Sequence, residues 1–228
     1  MDKVAIRGLN IAVSKVSDGS MKITGSPNPQ DIIDNRIRFF ERNNLVLTDA
    51  VLVPLTYGGD NYCRYSIVDG EDKSKGINKP FELEADGLLT QTKGLVLFLP
   101  LADCIGAVLY DPTTNSLMLT HLGRHNLEQD GGRQSVVYMT TKTGANPADI
   151  KAWLGPAADA TNYPLISFAG ASLHQVATRQ LQSAGILSEN ISKSPIDTTS
   201  DDNYYSHSQF KKGKQEIDGR FAVAVMMI

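Results

Sequence analysis

Cysteine and histidine are the residue types best suited to covalent, acid–base or metal chemistry. This chain of 228 residues has two of the first and four of the second. Cys104 and His121 stand out because of what lies between them. Ile105 to Tyr110 and Ser116 to Thr120 are apolar runs of strand length. Asp111-Pro112-Thr113-Thr114-Asn115 between them is rich in turn formers. A β-hairpin is expected, preceded by a third apolar run, Leu95 to Leu101. Pairing Tyr110 with Asn115 sets Cys104 opposite His121. Opposed residues share a face, with Cβ atoms roughly 4.5–5.5 Å apart, whereas a slip of one residue would separate them. A thiol facing an imidazole can be a nucleophile with its base, or two ligands of a zinc site. Against this, free cysteine is among the most buried residue types, and on the residues alone plain core is the reading favoured for the pair. Asp103 on one flank and Gly123, Arg124 and His125 on the other make this end of the hairpin polar.

Arg36 and Arg220 are the arginines that could hold an anion bidentately, although each alone reads more readily as a surface residue. His207, within Tyr204-Tyr205-Ser206-His207, is a polar-loop histidine divided between solvent and site. His174, beside Leu173 on a helix, reads as structural or exposed. The Lys211, Lys212 and Lys214 cluster reads as a solvated loop. There is no Gly-rich phosphate cradle, no H-E-x-x-H, no G-x-S-x-G and no Cys-x-x-Cys. A net charge of −3 argues against a nucleic-acid partner. No apolar run approaches the roughly 18 residues that span a bilayer, and the opening residues lack a signal-peptide core. With too few cysteines for a disulfide framework, the expectation is a cytoplasmic protein with reduced thiols.

The elements that must position these residues follow from apolar periodicity. Val4 to Lys22 holds weak strand patterns, with Asp18-Gly19-Ser20 as a hairpin turn. Gly25 to Pro29 is a loop into a helix capped by Asn28 and reaching about Asn43, with Ile33, Ile37 and Phe40 inward. Asn35 and Arg36 fall off that stripe, towards solvent or a site. Val46 to Leu55 reads as a strand and residues 67–84 as a long surface loop. Gln134 to Lys142 reads as a helix buried through Val136, Val137 and Tyr138, stopped by Gly144. Asn146 to Asp149 caps a further short helix with Ile150, Trp153 and Leu154 inward, ending at Gly155. Ser172 to Ala184 is the clearest amphipathic helix, with Leu173, Val176, Ala177 and Leu181 as its stripe and Gly185 as its stop. Residues 194–219 are mostly loop, and Phe221 to Ile228 is a fully apolar closing strand. The fold class is α/β (α+β): one domain, residues 1–228, with a mixed β-sheet and helices packed on it.

The ordered motifs Asn35-Arg36, Tyr57-Gly58, Ala85 to Thr90, Leu101 to Cys104, Thr120 to Gly123 and Tyr205-Ser206-His207 through Gly219-Arg220 resemble the laccase-domain (polyphenol oxidoreductase) family. Its members are also described as purine nucleoside phosphorylases with adenosine deaminase side activity. The resemblance runs from about residue 25 to the C-terminus. It implies a sandwich-like α/β domain, a small-molecule nucleoside substrate, phosphate as co-substrate, and a zinc-binding pocket of one Cys and two His. Cys104 matches the family's A-D-C cysteine and His121 its H-x-G histidine, which makes Cys104, His121 and Asp103 the catalytic candidates. Asn35, Arg36, Arg124, His207 and Arg220 are the substrate-binding candidates. The family's other histidine, in an H-G motif, is here Tyr57. The metal set becomes Cys104, His121 and Tyr57, and because tyrosine is a poor zinc ligand, zinc binding is expected to be weak or absent. The family's Trp after H-x-G is Arg124, and its Cys-containing segment after Gly155-Pro156 is Ala157-Ala158-Asp159. Several copper ions are hard to house with this number of Cys and His, so laccase chemistry is disfavoured. Three readings stay open: a purine nucleoside phosphorylase-like enzyme, a binding or regulatory protein on the same scaffold, and a metal-free Cys–His hydrolase. The sequence does not set the oligomeric state.

Overall fold

In the computed structural model, residues 6–23 and 28–228 are described. Val4-Ala5 of the first expected strand and Gly25-Ser26-Pro27 of the first loop lie outside them. The elements run β1 (Leu9–Val13), α1 (Pro29–Arg42), β2 (Ala50–Leu52), β3 (Tyr65–Ile67), β4 (Gly87–Thr90), β5 (Val96–Leu101), β6 (Ile105–Asp111), β7 (Ser116–Leu122), α2 (Arg124–Glu128), α3 (Gly131–Thr143), β8 (Lys151–Leu154), α4 (Leu173–Ser183), β9 (Ile191–Lys193), α5 (His207–Lys211) and β10 (Phe221–Met227).

The strands form two mixed sheets, ordered β1-β10-β5-β2 and β3-β4-β7-β6-β8-β9. Continuous apolar strands need cover on both faces, and here they have it. Along β5, Leu97 and Leu99 turn inward with Val223 and Val225 of β10 to meet Val108, Leu117, Leu119 and Trp153 of the facing sheet. The alternate residues Phe98, Ala222 and Ala224 point the other way, against Phe39 and Phe40 of α1. On the far side, Ala107, Leu109 and Met118 bury against Val136 and Met139 of α3 and Val176 and Leu181 of α4. The layers are therefore helix, sheet, sheet, helices. Among the described residues, no helix is long and apolar enough to cross a membrane.

Several local expectations are corrected. Asp18 ends a single 3-10 turn, Val16–Asp18, that leads into Gly19-Ser20, and no hairpin forms there, because β1 takes β10 as its partner. The strand expected over residues 46–55 is confined to β2, after a 3-10 turn at Leu47–Asp49. Asn146 accepts from Ala148 N as expected of a cap, but the turn stops at Asp149 and the chain becomes β8, which pairs with β6. Ile150, Trp153 and Leu154 are buried as strand residues. Val137 of α3 faces outward.

The buried stripe of α1 is Ile32, Arg36, Phe39 and Phe40, while Ile33 and Ile37 are exposed. Arg36 is 3% exposed. Its Nε and Nη2 donate to Met21 O at 3.1 and 2.7 Å, and its guanidinium lies 5.2 Å from the Phe98 ring centroid. Burial pushes its pKa down to about 10. Arg36→Ala leaves the Met21 carbonyl unpaired and opens a hole beside Phe98. A loss of roughly 2–4 kcal/mol in urea unfolding is expected, and a loss under about 0.5 kcal/mol, the scale of a surface substitution, would contradict this structural role.

Candidate functional site

The β6–β7 hairpin forms, with a register two residues from the one expected. Tyr110 pairs with Leu117, because Asp111 stays in the ladder opposite Ser116. Its carboxylate holds the loop by accepting from Thr113 N at 3.0 Å and Thr114 N at 3.1 Å. His121 therefore pairs with Gly106, and Cys104, just before the ladder, comes level with Gly123. An even slip preserves the face, so the thiol and imidazole still converge. A Cβ built on Gly123 would sit 2.7 Å from Cys104 Sγ and 3.0 and 3.2 Å from His121 Cε1 and Nε2. Both groups border one point that only a residue without a side chain leaves open.

Each is fixed from behind. Asp103, the residue before the thiol, is buried in the left-handed region at φ +69°, a strained conformation for a residue with a Cβ. Its carboxylate accepts from Ser208 N at 2.7 Å and Thr198 Oγ1 at 3.2 Å, and its carbonyl accepts from Ala158 N at 2.8 Å. Asp103 borders the pocket, but its carboxylate is committed to the loop over it, so it positions Cys104. His121 N donates to Asp86 O at 2.7 Å, and the Asp86 carboxylate is held by Arg64 Nε at 2.8 Å. His121 Nε2 is buried and finds no hydrogen-bond partner among the described residues. Buried polar atoms are nearly always paired; Arg36 Nη1, Thr178 Oγ1 and Gln209 Nε2 share this state, but of the four only His121 Nε2 belongs to a residue lining the pocket with Cys104.

Electrostatics leave the pair uncharged near neutral pH. Burial, then Asp103, pushes the Cys104 thiol up to about 12, while Arg220 and Arg124 pull the other way. Burial pushes the His121 imidazole down to about 4, against the opposing pull of Asp86 and a hydrogen bond with Asn126. This is not the preformed thiolate that a cysteine nucleophile needs.

Around the pair lies a pocket of about 430 Å³, lined by Tyr57, Tyr62, Tyr163 and His125 together with Arg124, His207, Ser208 and Arg220. His125 stacks on Tyr62 at 4.7 Å between centroids, and its Nε2 lies 3.2 Å from Arg124 Nη2. The Tyr57 ring meets His121 edge-on at 6.3 Å and is 66% exposed. Desolvation, then Cys104, raises the Tyr57 phenol, and its exposure keeps that effect below that of an enclosed group. Asp218 takes Arg220 Nη1 at 2.6 Å, His207 Nδ1 at 2.8 Å and Lys22 Nζ at 2.9 Å. Burial alone would raise the Asp218 carboxyl; hydrogen bonds from Arg220, His207 and Lys22 hold it far below the usual range.

Of the residues expected at the site, Cys104, His121, Asp103, Arg124, His207, Arg220 and Tyr57 line this pocket. Asn35 and Arg36 do not, and their expected substrate contact is corrected to support from behind. Asn35 Nδ2 donates to Ser20 O, and the Ser20–Met21 segment in turn bonds both the N–H and the C=O of Arg220. Tyr62, Asn126, Tyr163 and Asp218 were missed. Asp218 and Asn126 adjoin motif residues, but nothing in the sequence marks Tyr163. A second pocket of about 630 Å³, by Tyr110, Lys151 and Glu189, is the larger, but its lining has neither Cys nor His.

The donors allow a limited metal fit. The unpartnered His121 Nε2 and the adjacent sulfur offer two ligands to one ion of zinc type. Among the described residues no group of three His, Cys, Asp or Glu converges for a metal. The donors present do not fit several copper ions.

Comparison with known proteins agrees with this architecture. A family model described as multi-copper polyphenol oxidoreductase laccase matches residues 13–167 and 167–228. The purine nucleoside phosphorylase YlmD of Bacillus subtilis is 30% identical over 212 residues, which cover 81% of this chain and 75% of that protein. Among solved structures, the hypothetical protein YfiH of Bacillus licheniformis superposes with a TM-score of 0.81 at 22% identity, over 92% of this chain and 85% of that one. YlmD from Geobacillus stearothermophilus gives 0.80 at 20% identity, over 91% and 84%. At those identities the likeness speaks for the fold alone. The family-model match across nearly the whole chain and the 30% identity over three quarters of that Bacillus subtilis relative together establish that this chain belongs to the laccase-like polyphenol oxidoreductase family.

Proposed function

We propose that this protein is a purine nucleoside phosphorylase-like enzyme, cleaving the glycosidic bond of a purine nucleoside with inorganic phosphate. The observation that carries the reading is one pocket combining aromatic walls with two guanidinium groups beside Cys104 and His121. Tyr62 and His125, already stacked, and Tyr57 and Tyr163 offer flat faces to a heteroaromatic base. Arg124 and Arg220 both act electrostatically on Cys104, so an anion between them would lie beside the thiol and imidazole. Phosphate is the co-substrate that suits two arginines. His121 Nε2 and the Cys104 sulfur face the space left for the ribose. A zinc ion, when bound, would be held by Cys104 and His121 and would supply positive charge to polarise a substrate oxygen. The name of the Bacillus subtilis relative supports the same chemistry.

The test is incubation of purified protein with adenosine, inosine and guanosine, with and without phosphate, measuring free base, ribose 1-phosphate and ammonia. Phosphate-dependent base release that is lost in Cys104→Ala supports the reading. Base release without phosphate would make the protein a hydrolase. Tyr57 at the position of a family histidine favours one second reading, a nucleoside-binding protein without turnover. Binding by calorimetry with no base released would decide for it.

A further inference from the structure

We infer that His207, oriented by Asp218, is the acid that protonates the departing base. The inference rests on the phosphorolysis reading and assigns within it a residue pair that the Cys104–His121 centre does not include. His207 lines the pocket, and its Nδ1 is taken by Asp218 at 2.8 Å. That leaves Nε2 as the ring nitrogen available to a ligand, the arrangement by which a carboxylate fixes a catalytic histidine. The carboxylate is itself immobilised by Arg220 and Lys22. The backbone is held too: Ser208 N donates to Asp103, and Ser206 caps α5 by accepting from Gln209 N. His207 is thus tied to both the floor and the rim of the pocket.

The other histidines are worse placed. His121 is 3% exposed, so its proton exchange with bulk water is more hindered than that of the exposed pocket histidines. His125 is stacked on Tyr62 with Nε2 beside Arg124. His174 contacts Gly155 O and does not line the pocket. The His207 side chain is 43% exposed, so it can be reloaded from solvent after each turnover.

In the step, a phosphate oxygen bonds to C1′ of the ribose while the C1′–N9 bond breaks and its electron pair passes to the purine. The proton on Nε2 of the His207 imidazolium moves to N7 of the base. The products are ribose 1-phosphate and neutral base, and the imidazole recovers its proton from water.

The test compares guanosine with 7-methylguanosine, whose base is already cationic and departs without accepting a proton. His207→Gln is expected to lower kcat/KM for guanosine phosphorolysis by about 100-fold or more, with 7-methylguanosine affected less than about fivefold. Asp218→Asn should fall in the same direction on guanosine. An equal loss on both nucleosides would overturn the assignment and leave His207 as a structural residue. No phosphate-dependent base release from either nucleoside by the unaltered protein would instead overturn the phosphorylase reading, and the assignment with it.

Discussion

Gly123→Ala should abolish activity in a protein that still folds. The backbone at Gly123, φ −103° and ψ −175°, is open to any residue, so alanine carries no conformational strain there. As the residue preceding α2 it exchanges one modest cap for another, at a cost of about 1 kcal/mol, crowding by the new methyl adds about 1–3 kcal/mol, and the thermal midpoint should fall by roughly 4–16 °C. The new methyl has nowhere to go, because its ideal position is 2.7 Å from Cys104 Sγ and 3.0 Å from His121 Cε1. A cysteine side chain is too short to swing aside cheaply, and Asp103 holds its backbone. Displacing both groups by a few tenths of an ångström or more should lower kcat/KM for phosphorolysis at least ~100-fold. Activity within a few-fold of the unaltered protein, at unchanged stability, would mean that Cys104 and His121 are not used together.

Tyr57→His should raise the affinity of the pocket for zinc. Cys104 and His121 are the two donors present, and ionisation of the neighbouring Tyr57 phenol is opposed by desolvation and by Cys104. A neutral imidazole needs no such deprotonation. Protein prepared without added zinc should carry clearly less than one ion per chain, and Tyr57→His close to one. Competition with a chelator should show affinity rising more than ~10-fold. Elemental analysis decides the matter without reference to activity. One tightly held zinc in the unaltered protein, indifferent to Tyr57→His but lost in His125→Ala or His207→Ala, would show that another histidine swings in to complete the site.

The parts of the fold legible in the sequence are those where local pattern and tertiary cover agree. β5, β6, β7 and β10 were readable as continuous apolar runs because two sheets and helices on both sides bury both faces. α4 carried its stripe and its Ser172 cap. The convergence of Cys104 and His121 was legible through parity alone: the register was misjudged by two residues at Asp111, and an even error leaves the face unchanged. Arg36, expected to face solvent or a site, is buried instead, because the Met21 carbonyl, 15 residues away, and the Phe98 ring, 5.2 Å from its guanidinium, make that burial acceptable. Residues 146–155 were misread because a short apolar run after a cap suits helix and strand alike. Asp218 gains its meaning from Lys22, 196 residues distant, and Tyr163 joins the pocket from a loop without periodicity. Such long-range meetings leave no trace in local sequence.

The Asp103 carboxylate has a mechanical consequence. One side chain ties down Thr198 and Ser208 while its own left-handed backbone sets the start of β6. The loop bearing His207 and the strand bearing Cys104 therefore cannot be displaced independently, and one wall of the cavity behaves as a rigid bracket. The opposite wall is built differently. Tyr57 is two-thirds exposed, and Gly58 and Gly59 beyond it have no side-chain neighbours for a Cβ to meet. That side has the fewest packing constraints, so on the proposed function a bulky nucleoside would enter past the tyrosine wall while the spacing between His207 and Cys104 stays constant.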